Sequence, residues 1–350
     1  ALAGSDPAAS SALLPSALRA LLAQLSERLW SDVAALDAVL RDAVGVERAA
    51  WVGAVFSGES FRLAATLCSV LVATHSATVA YICWRDLTGQ WDRFAINERR
   101  APTLALYLRG WIKFVFDISC FLLPAMSLVS YYRYADVEYA RAHDAWWYGF
   151  LKQFVGYSTG ELWVAGVHKL MHHPLVYDAV HKKHHCQVRE LVASGAWLDT
   201  TWEFLFAEIP ALCMALFLLP TNPRWHCAFF AYQGFGAACD HAGFVFNDAN
   251  GGDWLHQNFF DGEFHYLHHL NPKVNFAEEE WIDFLFGTHH TYSAWWQRRE
   301  RRAGAAEELG RDAAGGGSVG DGPMVRKPGA YEPVTMKRRI LDALFSGIGE

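Results

Sequence analysis

The sequence predicts an all-α integral membrane helical bundle with a histidine-rich metal cap facing the cytoplasm. Three observations carry that expectation. Apolar residues make up 52% of the 350-residue chain against 19% charged, with 15 Trp, 13 Tyr and 23 Phe, a balance suited to lipid and its interfacial belt. Apolar runs with few or no charges reach the length of a bilayer crossing. Histidines are gathered rather than scattered: 11 of the 16 fall within residues 168–185 and 241–269, where even scatter would put about two.

Residues 1–60 are expected to form an amphipathic helical region. Leu18, Leu21, Leu22, Leu25, Leu29, Val33, Leu36 and Leu40 recur at helical spacing, with Arg19, Glu27, Arg28, Asp37 and Arg41 between them. Residues 61–144 hold two crossings. No charged residue occurs from Leu63 to Trp84, and the run from Trp111 to Tyr131 is interrupted only by Lys113 and Asp117. Residues 145–302 are the expected catalytic domain. It opens on a weaker crossing candidate, 145–167, which carries Lys152 and Glu161 and either spans the bilayer or lies in its interface. It also contains a transmembrane hairpin over 204–246, whose arms flank Pro220-Thr221-Asn222-Pro223. Residues 303–350, rich in Gly, Ala and charge, are expected to be a flexible tail.

Five Arg against three acidic residues between Arg85 and Arg109 place that connection on the cytoplasmic side. If 145–167 spans, the histidine-rich segments lie on that side too. A net charge of −7 offers no basic footprint for nucleic acid. The seven cysteines, with no CxxC pair, read as reduced buried apolar groups.

The histidines form a pattern. His168 and His172 are one helical turn apart and share a face. His181, His184 and His185 stand at i, i+3 and i+4, and His265, His268 and His269 repeat that HxxHH spacing. His241 follows an apolar helix, where an unpartnered polar ring is costly. Imidazole alone does not choose among Zn, Cu, Fe and Ni. Nine clustered rings, however, exceed what a single zinc uses. Shared between two metals, they leave each four or five nitrogens and a position for oxygen, which suits a pair of redox irons. No Glu-x-x-His of the soluble di-iron bundles occurs, and no HExxH, Walker loop, GxGxxG or GxSxG accompanies these boxes.

With Glu161 seven positions before His168, Ala-Gly after His241, Asn275, and Leu285-Phe286-Gly287-Thr288, these boxes resemble the fatty acid hydroxylase/sterol desaturase superfamily of membrane di-iron enzymes over about residues 160–290. Within it the sequence is most similar to the sterol methyl oxidase and sterol desaturase branches. Leu162 stands where relatives often carry an acid, and Phe264 where some carry histidine. The resemblance implies two Fe ions held by His168, His172, His181, His184, His185, His241, His265, His268 and His269. It implies O2 as co-substrate and a sterol or fatty acyl lipid that is hydroxylated or desaturated. It also implies an endoplasmic reticulum location and electrons from a separate b-type cytochrome and its reductase, since no His-Pro-Gly-Gly haem motif is present.

His173, His256, Glu161 and Asn275 are expected as extra ligands or as supports of the ligands. His75, His143 and His226 stand alone and read as packing or surface residues, as do His289 and His290 at the edge of the pattern. The rival from another class is a histidine-rich metal-binding or metal-transporting membrane protein. Transporters place ligands at bilayer depth, whereas HKKHH lies in polar connecting sequence.

Overall fold

A computed structural model describes residues 46–97, 101–185, 191–246, 260 and 262–291. The expected helix over 17–44, His256 and the tail over 303–350 lie outside these residues. The chain divides into two compact units, Ala1–Glu59 and Ser60–Glu350. In the first, the described secondary structure is helix α1, Val46–Val55.

The second unit is built of helices, and among the described residues there is no strand beyond an isolated bridge between Ala95 and Phe244. Its long elements are α2 (Gly58–Leu87), α3 (Leu104–His143), α4 (Trp146–Met171), α7 (Thr201–Leu218) and α8 (Pro223–Asp240). Short helices α5 (Tyr177–Val180), α6 (Lys182–His185), α9 (Glu263–Leu270) and α10 (Glu280–Phe286) carry most of the remaining functional residues. Helices α2, α3 and α7 are long and apolar enough to cross a membrane, which makes this an integral membrane protein. Helices α4 and α8, also read as crossings, are less apolar. The first carries Lys152, Gln153 and Glu161, and the second Arg224, His226 and Gln233.

Successive long helices run antiparallel. Tyr107 Oη donates to Asp86 Oδ2 at 2.8 Å where α2 turns back into α3. At the opposite end Trp225 Nε1 donates to the Trp146 carbonyl at 3.1 Å. Small residues set the tightest packing. A Cβ on Gly156 would stand 2.7 Å from Ala215 Cα, and one on Gly160 would stand 2.8 Å from the Ala211 carbonyl oxygen. Lipid gives helices no hydrophobic drive to associate, so this close approach of α4 and α7 supplies the dispersion contact that holds them.

Helices α3 and α7 each contain a π turn, Ile118–Leu122 and Phe204–Glu208, followed within two residues by Pro124 and Pro210. Proline removes an N–H and crowds the carbonyl four residues back, and a widened turn accommodates both effects. In α7 the crowded carbonyl is that of Phe206, which accepts the Trp163 indole N–H of α4 at 2.9 Å. The defect in one helix therefore becomes a tie to its neighbour.

Between the helices lies a core of Leu67, Leu71, Phe114, Leu122, Met126, Trp197, Phe204 and Phe230. His75 is buried there against Phe114 and Trp197, its Nδ1 3.1 Å from the Gly234 carbonyl, as expected of a packing histidine.

Candidate metal centre

Four separate stretches bring their histidines to the bundle end where α2, α4 and α8 finish and where α3 and α7 begin. His168 lies in the last turn of α4 and His172 caps it, one turn apart. His181 precedes α6, which carries His184 and His185. His241 caps α8, and α9 carries His265, His268 and His269.

The nine rings fall into two groups. His168, His172, His181, His185 and His268 form one, and His184, His241, His265 and His269 the other, the candidate ligand atoms of each lying within 4.8 Å of one another. The second HxxHH therefore divides between groups, His268 going to the first. So does the first, since His184 parts from His181 and His185.

Tautomers follow from the outward-facing nitrogens. His168 Nδ1 is 2.6 Å from the Phe276 carbonyl, His268 Nδ1 2.6 Å from the Val274 carbonyl, and His241 Nδ1 3.1 Å from the Ala237 carbonyl. A carbonyl only accepts, so each of these nitrogens carries the proton and each Nε2 is a bare lone pair. The Nε2 atoms nevertheless converge. The separations are 2.8 Å for His168 and His181, 3.0 Å for His172 and His268, 3.1 Å for His268 and His185, and 3.0 Å for His269 and His265. Two such nitrogens can share one proton or flank one cation, and the gathering of five and four of them within 4.8 Å suits a cation. Nitrogens about 2.1 Å from a shared metal and at right angles are about 3.0 Å apart. The donor set thus fits a metal in each group.

Burial reinforces the arrangement. Loss of solvation holds all nine imidazoles below their ordinary range, and neighbouring rings add to it for all but His168. His168 and His241 lie at about 4, and His172 and His185 at about 3. The rings are neutral near pH 7, as ligation requires.

Residues not singled out in the sequence support the rings. Glu203 Oε1 lies 2.9 Å from His181 Nδ1 and 4.0 Å from His184 Nδ1, so one carboxylate faces a ring of each group. Thr200 caps α7 by accepting the Glu203 amide at 3.2 Å and donates to the Val180 carbonyl at 2.6 Å, which fixes this corner beside α5 and α6. The Thr-x-x-Glu pattern of a helix start was the available signal. Asp283 accepts the amides of Phe276 and Ala277 at 2.9 and 2.8 Å. It thereby holds the segment whose carbonyls receive His168 and His268.

Asn275 sits between those two carbonyls at φ 55°. Its side chain donates to the Phe264 and His290 carbonyls at 3.0 Å each and accepts the His290 amide at 2.8 Å. Glu161 is buried and receives Gln233 Nε2 at 3.3 Å. Its recorded partner is therefore a glutamine and not a ring. His173 is exposed and accepts the Leu175 amide at 3.3 Å, outside both groups. His289 stacks on Phe284 at 3.8 Å. Beside the rings is a cavity of about 60 Å³, lined by His168, His184, His241 and His265, by Met171, Trp197 and Phe276, and by carboxyl side chains.

Residues 153–288, which contain all nine rings, match the fatty acid hydroxylase family. The chain is similar to a fatty acid hydroxylase of Mycosarcoma maydis, 23% identical over 227 residues, covering 60% of this chain and 53% of that protein. It is also similar to a Delta(7)-sterol 5(6)-desaturase of Gibberella zeae, 21% identical over 230 residues, covering 63% of this chain and 68% of that one. The chain thus spans about half the length of the first relative. No solved structure matches it significantly.

Proposed function

We propose, on the premise that residues 153–288 belong to the fatty acid hydroxylase/sterol desaturase superfamily, that this chain is a membrane di-iron oxidoreductase that uses O2 to hydroxylate or desaturate a lipid. The observation that carries the reading is the convergence of nine neutral imidazoles, mostly through Nε2, into two adjacent groups at the end of a membrane-crossing bundle. Bound there, a pair of irons would supply the one-electron chemistry that activates oxygen, which no side chain provides.

The protein's part is placement. His168, His172, His181, His185 and His268 would hold one ion, and His184, His241, His265 and His269 the other. The Phe276, Val274 and Ala237 carbonyls keep the Nδ1 protons in place, so that the opposite nitrogens stay available. Glu203 stands beside one ring of each group, where a carboxyl could support both halves of the centre. Met171, Trp197 and Phe276 exclude bulk water from the cavity, and a sterol or fatty acyl chain would approach from the bilayer side. The electron donor in this reading is a separate b-type cytochrome with its reductase, and the centre faces the cytoplasm at the endoplasmic reticulum.

Metal analysis and lipid profiling test the proposal together. The purified chain is expected to carry about two irons. Cells expressing it are expected to accumulate an oxidised lipid missing from cells with the His184→Ala/His268→Ala variant, which removes one ring from each group. Zinc as the sole bound metal, or identical lipid profiles under oxygen with an adequate electron supply, would defeat it.

A further inference from the structure

Behind the cavity is a set of carboxylic acids that the histidine groups do not use. Glu208 of α7 and Glu278 line the cavity alongside His168, His184, His241 and His265. Glu161 of α4 and Glu279 stand behind them. Glu161 is 1% exposed, and its Oε2 has no hydrogen-bond partner. Its charged neighbours are Glu278, Glu279 and Glu208.

Glu279 differs from the other three, because Tyr157 of α4 and Tyr232 of α8 both donate to its Oε1, at 2.7 and 2.6 Å. Two hydroxyl donors make it the member suited to carry the negative charge. Around a fixed carboxylate, the buried acids of the metal-free chain keep their protons, since like charges in a poorly solvated site do not all ionise. Glu278 accordingly lies high, at about 8, from burial first and then from Glu208 and Glu279. The other cavity acids are different. Asp199 is salt-bridged to Lys113 at 2.6 Å, Lys183 donates to the Asp199 carbonyl at 2.9 Å, and Glu203 faces the rings.

We propose that Glu278 and Glu208 deliver protons into the cavity from a store shared with Glu161 and anchored by the Glu279 carboxylate. The proposal rests on the oxygen-using reading above. Hydroxylation takes R–H, O2, two electrons from the separate donor and two protons to R–OH and one water. Desaturation takes two C–H bonds, O2, the same electrons and protons to C=C and two waters. In both, two protons come from the medium. The O–H bond of Glu278 or Glu208 breaks toward cavity water, the carboxylate left behind is reprotonated from the remaining store, and the store takes two protons from the medium in each turnover. The cavity's size suits this role, with room for a few waters and none for a lipid head group.

The test uses the full chain purified in detergent, with iron content measured on the same samples. Infrared spectra in H2O and D2O read the protonated-carboxyl C=O band. At neutral pH the wild type is expected to show an exchangeable band that loses intensity in Glu278→Gln and falls further in Glu208→Gln/Glu278→Gln. Iron content is expected to stay unchanged, and turnover to drop at least about tenfold in the double variant. Glu278→Asp, which keeps a proton to give, is expected to recover part of both signals. A band that these substitutions leave untouched overturns the proton store whatever the iron content. A changed band with undiminished turnover overturns delivery. Failure of the oxygen-using reading shows separately, as a wild type without iron.

Discussion

Glu203 offers the sharpest test at the scale of single residues, because its carboxylate reaches a ring from each group yet belongs to neither. Glu203→Gln keeps the volume and puts an amide in place of the carboxyl that lies 2.9 Å from His181 Nδ1. Iron affinity is expected to fall by about 10- to 100-fold, as for other residues that orient metal-bound imidazoles. Titration of the chelated protein with ferrous iron measures it, and an unchanged affinity would remove Glu203 from the centre. The same scale shows what was legible beforehand. Eight of the nine rings could be read from spacing, because i, i+3 and i+4 fix a shared helical face without any knowledge of tertiary structure, and His241 from its place at the end of an apolar helix. Their division into five and four could not, since His268 and His269 are sequence neighbours that serve different groups. The carbonyls of Ala237, Val274 and Phe276 were equally hidden, because every residue has one and only the fold selects which face a ring.

At the scale of elements, the close contact between α4 and α7 should be sensitive to a single side chain. Gly156→Leu places atoms where Ala215 already stands, and overpacking of this kind costs about 1–3 kcal/mol. A lowered unfolding midpoint in detergent is expected, with partial loss of iron because α4 carries His168 and His172 at its far end. An unaltered midpoint would show that the helices do not pack this closely. Sequence gave no warning of this contact, since a glycine in an apolar run marks close approach without naming the partner. The run between Trp111 and Tyr131 was legible as a crossing, but its helix extends over Leu104–His143. Thr103 accepts the Leu106 amide at 3.2 Å and sets the start, and the polar continuation beyond Tyr131 keeps helical geometry without needing an apolar face. The π turns escaped prediction because Pro124 and Pro210 signal a disruption without specifying its form.

For the molecule as a whole, the depressed proton affinities of the rings give the metal-free protein an acid-sensitive contribution to its stability. An ordinary imidazole titrates at 6.5, whereas His168 and His241 in the fold lie at about 4 and His172 and His185 at about 3. Between these limits the unfolded chain binds protons that the folded rings refuse, so the rings' contribution to stability is fully present above about pH 6.5 and declines as pH falls, while Glu278, raised to about 8 by burial, contributes in the opposite sense. Thermal unfolding of the chelated Glu208→Gln/Glu278→Gln protein, which lacks two of the opposing acids, at about pH 7.5 and about pH 5.5 should show a lower midpoint in acid, and equal midpoints would contradict burial of neutral rings. Orientation is decided at this scale as well. The antiparallel helices put Arg85, Arg93, Arg109, Lys169, Lys182, Lys183 and Lys273 at the histidine end, against Arg62, Arg133, Arg141, Lys152 and Arg224 at the other. Lys152 is moreover tied to Asp144 at 2.8 Å. Excess Lys and Arg favours the cytoplasmic side, so the rings are expected to face the cytoplasm. In a cysteine-free background and sealed vesicles with the cytoplasmic face inside, Arg141→Cys should react with an impermeant maleimide at once and Lys273→Cys only after permeabilisation. The reverse pattern would turn the centre toward the opposite compartment and rule out an electron donor in the cytoplasm.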